Sequence, residues 1–217
     1  MQLNAQQLYT HKKLLKHDKS FVFWPRQTGK SYLVTHFIED FVNNNKDQNI
    51  LFISNKKNYI KNSRLKISNE IGHLILDKHR SDDLDFTNDN YLKFISINQP
   101  FEYVLNTLSP SLIIFDEIMS LPMSNNFKLI KDYIDKSNCK CIYTSTFMEL
   151  DVIKLLDSKN DFYINIIPPR HSDEFYDLDI EYVKKNIKEL SYKPDELLDY
   201  ADLQYQRKVK LRKLNSL

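Results

Sequence analysis

Short apolar runs alternate with longer amphipathic stretches along most of the chain. The runs are rich in β-branched and aromatic side chains, which is typical of strands buried on both faces of a sheet. They occupy residues 21–24, 49–54, 91–97, 111–115, 140–144 and 162–167. The amphipathic stretches predict helices over residues 30–43, 56–78, 126–135 and 149–158.

Repeated alternation of strand and helix predicts an α/β fold with a mostly parallel central sheet flanked by helices. After residues 168–169, both proline, the pattern changes to two charged amphipathic helices, 174–190 and 194–214, with no strand following. We therefore expect residues 1–170 to form the core and residues 171–217 to form a short helical lid or tail.

The amino-acid composition and net charge argue against several kinds of protein. The chain has 217 residues, of which 41% are hydrophobic and 28% charged, with a formal net charge of +2. These values argue against wholesale disorder and against a uniformly basic nucleic-acid coat. The two cysteines are too few for a disulfide framework or a complete zinc site. No apolar stretch approaches the roughly 18 residues that cross a bilayer, so we expect a protein that does not contact a membrane.

The strongest chemical signal is Gly29-Lys30-Ser31, which follows a predicted strand and opens a predicted helix. This context is typical of the end of a phosphate-binding loop. Gly29 lets the backbone approach the phosphates, and the helix N-terminus offers unpaired N–H groups. Lys30 would reach the β- and γ-phosphates, and the Ser31 hydroxyl would ligate Mg²⁺. The full pattern asks for glycine where this chain has Trp24.

Two adjacent carboxylates, Asp116 and Glu117, follow the apolar run at 111–115. The carboxyl edge of a parallel sheet is where ligands bind in open α/β folds. Asp116 would hold Mg²⁺ through water, and Glu117 would polarise the water that attacks the γ-phosphate. Alone, the pair could be an acidic turn that ends a strand. Its co-occurrence with the Gly-Lys-Ser loop favours an ATP-hydrolysing site with ATP and Mg²⁺ as cofactors.

Three hydroxyl residues, Thr144, Ser145 and Thr146, end a later apolar strand. At the neighbouring strand end they could lie beside the γ-phosphate and sense whether it is present. A strand built of β-branched residues is the alternative interpretation.

Together, Arg-Gln-x-Gly-Lys-Ser without the leading glycine, a strand ending Asp-Glu and a strand ending in hydroxyls resemble the ATPase domain of the bacteriophage-type viral large terminase. The resemblance covers roughly residues 3–170. It implies a P-loop NTPase of the additional-strand, catalytic-glutamate type, whose Mg-dependent ATP hydrolysis drives packaging of double-stranded DNA into a capsid. Implied partners are double-stranded DNA, the capsid portal and the small terminase subunit. The resemblance also implies that the chain assembles into a homo-oligomeric ring, or is a monomer when isolated. The implied location is the cytoplasm of the infected host cell.

The same resemblance assigns roles to single residues. An upstream glutamine that recognises adenine corresponds to Gln7, with Gln6 as the alternative, and Tyr9 would stack on the base. Arg26 corresponds to an arginine that touches the γ-phosphate. Residues 144–146 correspond to the motif that couples hydrolysis to DNA movement. The candidate catalytic residues are then Glu117, Arg26 and Lys30, and the candidate metal ligands are Ser31 and Asp116. The nucleotide-binding set is Gln7, Tyr9, Pro25, Arg26, Gln27, Thr28, Gly29, Lys30 and Ser31.

A basic stretch follows the second predicted strand, at Lys56, Lys57, Lys61, Arg64 and Lys66. On a helix these residues would spread over several faces and serve solubility, or they would contact DNA phosphates. Arg64 is also the first candidate for an arginine supplied to a neighbouring subunit, with Arg80 and Arg170 as rivals.

Two other functions remain open at this stage. One is a nucleotide-dependent switch or scaffold with little turnover, and the other is a helicase-like RecA domain. The roughly 45 residues after Arg170 leave no room for the nuclease domain that large terminases carry.

Overall fold

The computed structural model describes residues 2–24, 28–55, 57–77, 83–118, 125–146, 163–166 and 176–178. The helices are α1 Ala5–Lys16, α2 Lys30–Asn44, α3 Lys57–Glu70, α4 Phe101–Leu108 and α5 Asn125–Lys136, with a 3-10 turn at Gly72–Leu74. The strands are β1 Lys19–Phe23, β2 Asn49–Ser54, β3 Ile75–Asp77, β4 Asp83–Phe86, β5 Tyr91–Ser96, β6 Leu112–Phe115, β7 Lys140–Ser145, β8 Tyr163–Ile166 and β9 Tyr176–Leu178.

All the described strands join one sheet in the order β3-β4-β5-β2-β6-β7-β1-β8-β9. The strands from β5 to β8 in this order run parallel to one another. Among the described strands, antiparallel pairs occur only towards the two edges, where β3 pairs with β4, β4 with β5, and β9 with β8. The predicted α/β fold with a mostly parallel sheet is therefore confirmed.

The central strands are apolar on both faces because each face is covered by helices. In β2, Leu51 and Ile53 pack with the layer that contains α4 and α5. Ile50 and Phe52 pack with the layer that contains α1, α2 and α3. The same alternation separates neighbours in β1, β5, β6 and β7, so the continuous apolar runs of the sequence supply two cores at once.

The predicted helix over 56–78 is wrong in its second part. Helix α3 ends at Glu70, and residues 75–77 form β3, which pairs with β4 in an antiparallel edge. Neither strand is an apolar run, since both are short and carry aspartates. The sequence pattern does not predict helix α4, because at eight residues it is too short for a clear periodicity.

The C-terminal prediction also needs a correction. The sequence predicts a helix over 174–190, but Tyr176–Leu178 forms β9, which pairs antiparallel with β8. The sheet therefore continues beyond residue 170. The predicted helices at 149–158 and 194–214 lie outside the described residues. Among the described helices, none is long and apolar enough to cross a membrane.

Helix α1 is positioned by its cap and by one buried histidine. Asn4 and Gln7 form a reciprocal capping box at its first turn. His11 is buried against α2, with its ring edge-on to Phe37 and its Nε2 3.3 Å from Asp40 Oδ2, although this pair lacks hydrogen-bond geometry. Burial lowers the pKa of His11 below its usual 6.5, an effect that the Asp40 charge only partly offsets.

This burial predicts a loss of stability in mild acid. The unfolded chain protonates residue 11 more readily than the folded chain does, so stability falls as the pH drops from 6.5 towards the lowered folded pKa. Urea unfolding at mildly alkaline and mildly acidic pH should show a smaller pH-dependent loss in His11→Gln than in the wild type. His73→Gln, at an exposed position, should keep the wild-type difference. Equal pH dependence in all three proteins would contradict the assignment.

Candidate nucleotide site

The turn between β1 and α2 requires a glycine. Gly29 is the N-cap of α2 and has φ 91°, in the left-handed region that side chains disfavour. A Cβ atom at this position would lie 2.2 Å from Gln7 Nε2. The first turn of α2, starting at Lys30, therefore follows a backbone that only glycine adopts without strain. Its N-terminal N–H groups and dipole suit an anion.

The acid pair lies at the end of β6, and Asp116 N–H extends the ladder by donating to Ile53 O at 2.9 Å. The neighbouring β7 places Thr144 Oγ1 3.2 Å from Asp116 Oδ1. Glu117 has φ 56°, an uncommon value for a residue with a side chain. A strained residue of this kind at a strand end is a pointer to function.

Lys30 and Glu117 form an ion pair between Lys30 Nζ and Glu117 Oε1. The other carboxylate oxygen, Oε2, accepts hydrogen bonds from the Thr146 N–H at 2.8 Å and from the Thr146 hydroxyl. Burial alone would raise the pKa of Glu117, but the Lys30 charge and these hydrogen bonds lower it. Glu117 is therefore a carboxylate, with Oε1 paired with Lys30 and Oε2 hydrogen-bonded to Thr146.

The pKa of Asp116 shifts in the opposite direction from the pKa of Glu117. Burial raises its pKa, and the Glu117 charge adds to that effect, while Lys30 and hydroxyls from Thr144 and Ser63 oppose it. Ser63 Oγ is 3.4 Å from Asp116 Oδ2. A cation beside Asp116 would reverse the balance and favour its ionised form.

The residues near Asp116 fit the implied Mg²⁺. Asp116, Ser31 and Ser63 supply oxygens to a cavity of about 10 Å³, which Lys66 and apolar side chains also line. Its volume is close to that which one water needs. Carboxylate and hydroxyl oxygens are ligands that Mg²⁺ accepts, the rest usually coming from water and phosphate. Within the described ranges no three His, Cys, Asp or Glu side chains cluster, so the protein would supply few of the ligands.

The two candidate adenine-recognising glutamines differ in what they already bind. Gln7 Oε1 accepts the Asn4 N–H at 2.9 Å, and Gln7 Nε2 donates to Gly29 O at 3.4 Å. Gln7 thus ties α1 to the glycine turn. Gln6 Nε2 is buried and has no hydrogen-bond partner among the described residues. Tyr9 is 37% exposed, with Lys13 Nζ 5.5 Å from its ring centroid.

Most of the predicted site residues meet at one edge of the sheet. Thr28, Gly29, Lys30 and Ser31 follow β1, Asp116 and Glu117 follow β6, and residues 144–146 end β7 between them. Ser145 O also accepts the Trp24 N–H at 3.1 Å, which joins the ends of β1 and β7.

Other predicted residues lie elsewhere or outside the described part. Arg64 lies on α3 and lines a separate basic cleft. Those outside the described residues are Pro25, Arg26, Gln27, Arg80 and Arg170. Sequence reasoning missed the place of Ser63 and Lys66 beside Asp116, because only the packing of α3 against the sheet brings them there.

Solved structures resemble this fold. The large terminase of a thermophilic bacteriophage matches with a TM-score of 0.61 and 12% identity, over 76% of this chain and 45% of that chain. The ATPase domain of the Thermus phage P74-26 large terminase matches with a TM-score of 0.56 and 14% identity, over 66% of this chain and 64% of that chain.

The chain has the fold of the large-terminase ATPase domain. The first of these terminases also matches in complex with ATP-γ-S, with a TM-score of 0.53 and 12% identity, over 66% of this chain and 38% of that chain. No protein-family model and no curated protein matches the sequence. The match covers about half the length of the first terminase, and the likeness concerns the fold.

The glycine turn at Gly29 gives a direct prediction. Gly29→Ala should lower the free energy of unfolding by about 1–2 kcal/mol, because it forces a side chain into the left-handed region beside Gln7. Gly72→Ala is the matched control, since Gly72 has no positive φ. Chemical denaturation of both variants checks the expectation, and an equal loss in the two would contradict it.

Proposed function

We propose that this chain is a Mg-dependent ATPase whose turnover drives translocation of double-stranded DNA during viral genome packaging. The observation that carries the proposal is the meeting of Lys30, Asp116 and Glu117 at the carboxyl edge of the sheet, beside Thr144 and Thr146. The fold likeness to large-terminase ATPase domains supports it.

In this proposal Glu117 acts as the general base. Before nucleotide binds, the Lys30 charge and the Thr146 hydrogen bonds lower its pKa, so it starts as a carboxylate able to accept a proton. On nucleotide binding, Lys30 would exchange Glu117 Oε1 for phosphate oxygens. Thr146 would keep Oε2 in place, leaving Oε1 to orient the attacking water. Ser31 and Asp116 would hold Mg²⁺, which when bound offsets phosphate charge.

The remaining roles belong to the same proposal. Arg26 would stabilise charge on the γ-phosphate, with Arg64, Arg80 or Arg170 as the candidate arginine supplied to a neighbouring subunit. Residues 144–146 would couple hydrolysis to DNA movement, because they contact both carboxylates. The proposed partners are double-stranded DNA, the capsid portal, the small terminase subunit and further copies of the chain in a ring.

A nucleotide-dependent switch is the second candidate, and the Lys30–Glu117 pair favours it. In this pair Lys30, the cation proposed to bind phosphate, and Glu117, the proposed base, are bound to each other. If a bound nucleotide leaves the pair intact, ATP would be held without turnover.

Turnover with matched variants separates these candidates. We expect ATP hydrolysis that requires Mg²⁺, and a fall in kcat of roughly 100-fold or more in Glu117→Gln with ATP binding retained. Lys30→Ala should lose ATP binding. Glu102→Gln, on α4, is the control and should match the wild type. Tight ATP binding without turnover, at any protein concentration and with or without duplex DNA, would support the switch instead.

The sequence assigns adenine recognition to Gln7 with Gln6 as the alternative, and we propose Gln6, because its Nε2 has no hydrogen-bond partner among the described residues while both polar atoms of Gln7 are engaged. Gln6→Ala should weaken binding of ATP but leave binding of inorganic tripolyphosphate unchanged, as measured by calorimetry. Gln7→Ala should instead lower the free energy of unfolding by about 1 kcal/mol, because it removes the Gln7 side-chain half of the capping box and the hydrogen bond to Gly29 O. Selective loss of ATP affinity in Gln7→Ala alone would reverse the assignment.

A further inference from the structure

A basic cleft lies at the carboxyl edge of β5, against helix α3. Its volume is about 460 Å³. The polar and charged side chains that line it are Lys57, Asn58, Lys61, Arg64, Ser96 and Gln99. The nucleotide site opens at the same edge of the sheet, because β2, β5, β6, β7 and β1 all run parallel.

Different faces of helix α3 carry basic and apolar side chains. Lys57, Lys61 and Arg64 recur at helical spacing and line the cleft together. Ile60 and Ile67 pack into the core on the adjacent face, and Ser63 contacts Asp116 there. The sequence-based expectation that the basic residues spread over several faces is wrong for these three. Lys66, by contrast, faces the small cavity at Asp116.

The cleft concentrates positive charge. Its lining carries three cations and no carboxylate among the described residues. Within the described part of the chain, neither Lys57 nor Lys61 takes part in an ion pair. A concave surface of one charge sign focuses its field and attracts an anion of opposite sign. Hydroxyl and amide groups beside the cations are further donors for phosphate oxygens.

The spacing suits a chain of phosphates rather than a single one. At 1.5 Å per residue, Lys57 and Arg64 are about 10 Å apart along the helix axis. Along the duplex axis, one strand of B-form DNA rises about 3.4 Å per nucleotide, so a duplex aligned with α3 would present about three phosphates over this distance. Contacts of this type bind the backbone without reading the base sequence.

We propose that this cleft binds the phosphate backbone of a nucleic-acid strand. The inference deepens the proposed function and rests on it for the identity of the polyanion. Binding itself needs no ATP, so it can be measured separately from turnover. Because α3 also carries Ser63 against Asp116, a shift of this helix when the cleft is occupied would change the surroundings of Asp116.

Fluorescence anisotropy without nucleotide tests the cleft. Labelled duplex DNA, a single strand of the same sequence and inorganic phosphate as competitor are compared at several salt concentrations. Lys57→Ala/Lys61→Ala should weaken DNA binding roughly tenfold and reduce the salt slope for duplex by about 2, since two phosphate contacts are lost. The control Lys128→Ala/Lys136→Ala removes the same charge from α5, on the opposite layer, and should bind as the wild type does.

Each outcome decides for or against the cleft. Equal weakening in both double variants, or no DNA binding at low salt, would overturn the proposal. Competition by inorganic phosphate as effective as that by DNA, at equal phosphate concentration, would indicate a single-phosphate site and also overturn it. Selective loss in the cleft variant supports the proposal, even if the protein shows no ATP turnover, in which case only the motor function fails.

Discussion

The partly buried ion pair between Lys30 and Glu117 fixes the relation of the glycine turn at Gly29 to the acid pair. Removing two charges from water is costly unless they pair and their other hydrogen-bonding groups are satisfied. Thr146 meets that need by donating twice to the second Glu117 oxygen. Because β7 lies between β1 and β6 in the sheet, its end lies next to both the glycine turn and the acid pair. Three separate sequence motifs thereby become one site.

The central strands could be predicted because burial on both faces leaves continuous apolar runs, as in β2. The edge strands could not, since β3, β4 and β9 are short and carry aspartate or tyrosine, and only pairing with a neighbour defines them. The positions of the Gly-Lys-Ser and Asp-Glu motifs at strand ends could be predicted, because each motif follows a predicted strand in the sequence. The contact of Gln7 with Gly29 depends on how α1 docks, which no local pattern reports.

Helix α3 is the element that sequence reasoning understated. One face carries a basic stripe along an open cleft, and the adjacent face carries Ser63 against Asp116. A single rigid helix therefore contacts both the proposed backbone-binding surface and the proposed metal-holding acid. This arrangement gives a physical route between the proposed polyanion-binding cleft and the proposed nucleotide site, of a kind that the proposed translocating ATPase needs.

The most direct test of the nucleotide site is a crystal structure with a non-hydrolysable ATP analogue and Mg²⁺. We predict that the phosphates contact Lys30 Nζ beside Gly29, that Glu117 Oε1 leaves Lys30, and that Glu117 Oε2 stays on Thr146. A bound nucleotide with the Lys30–Glu117 pair intact, or with its phosphates away from Gly29, would contradict this prediction.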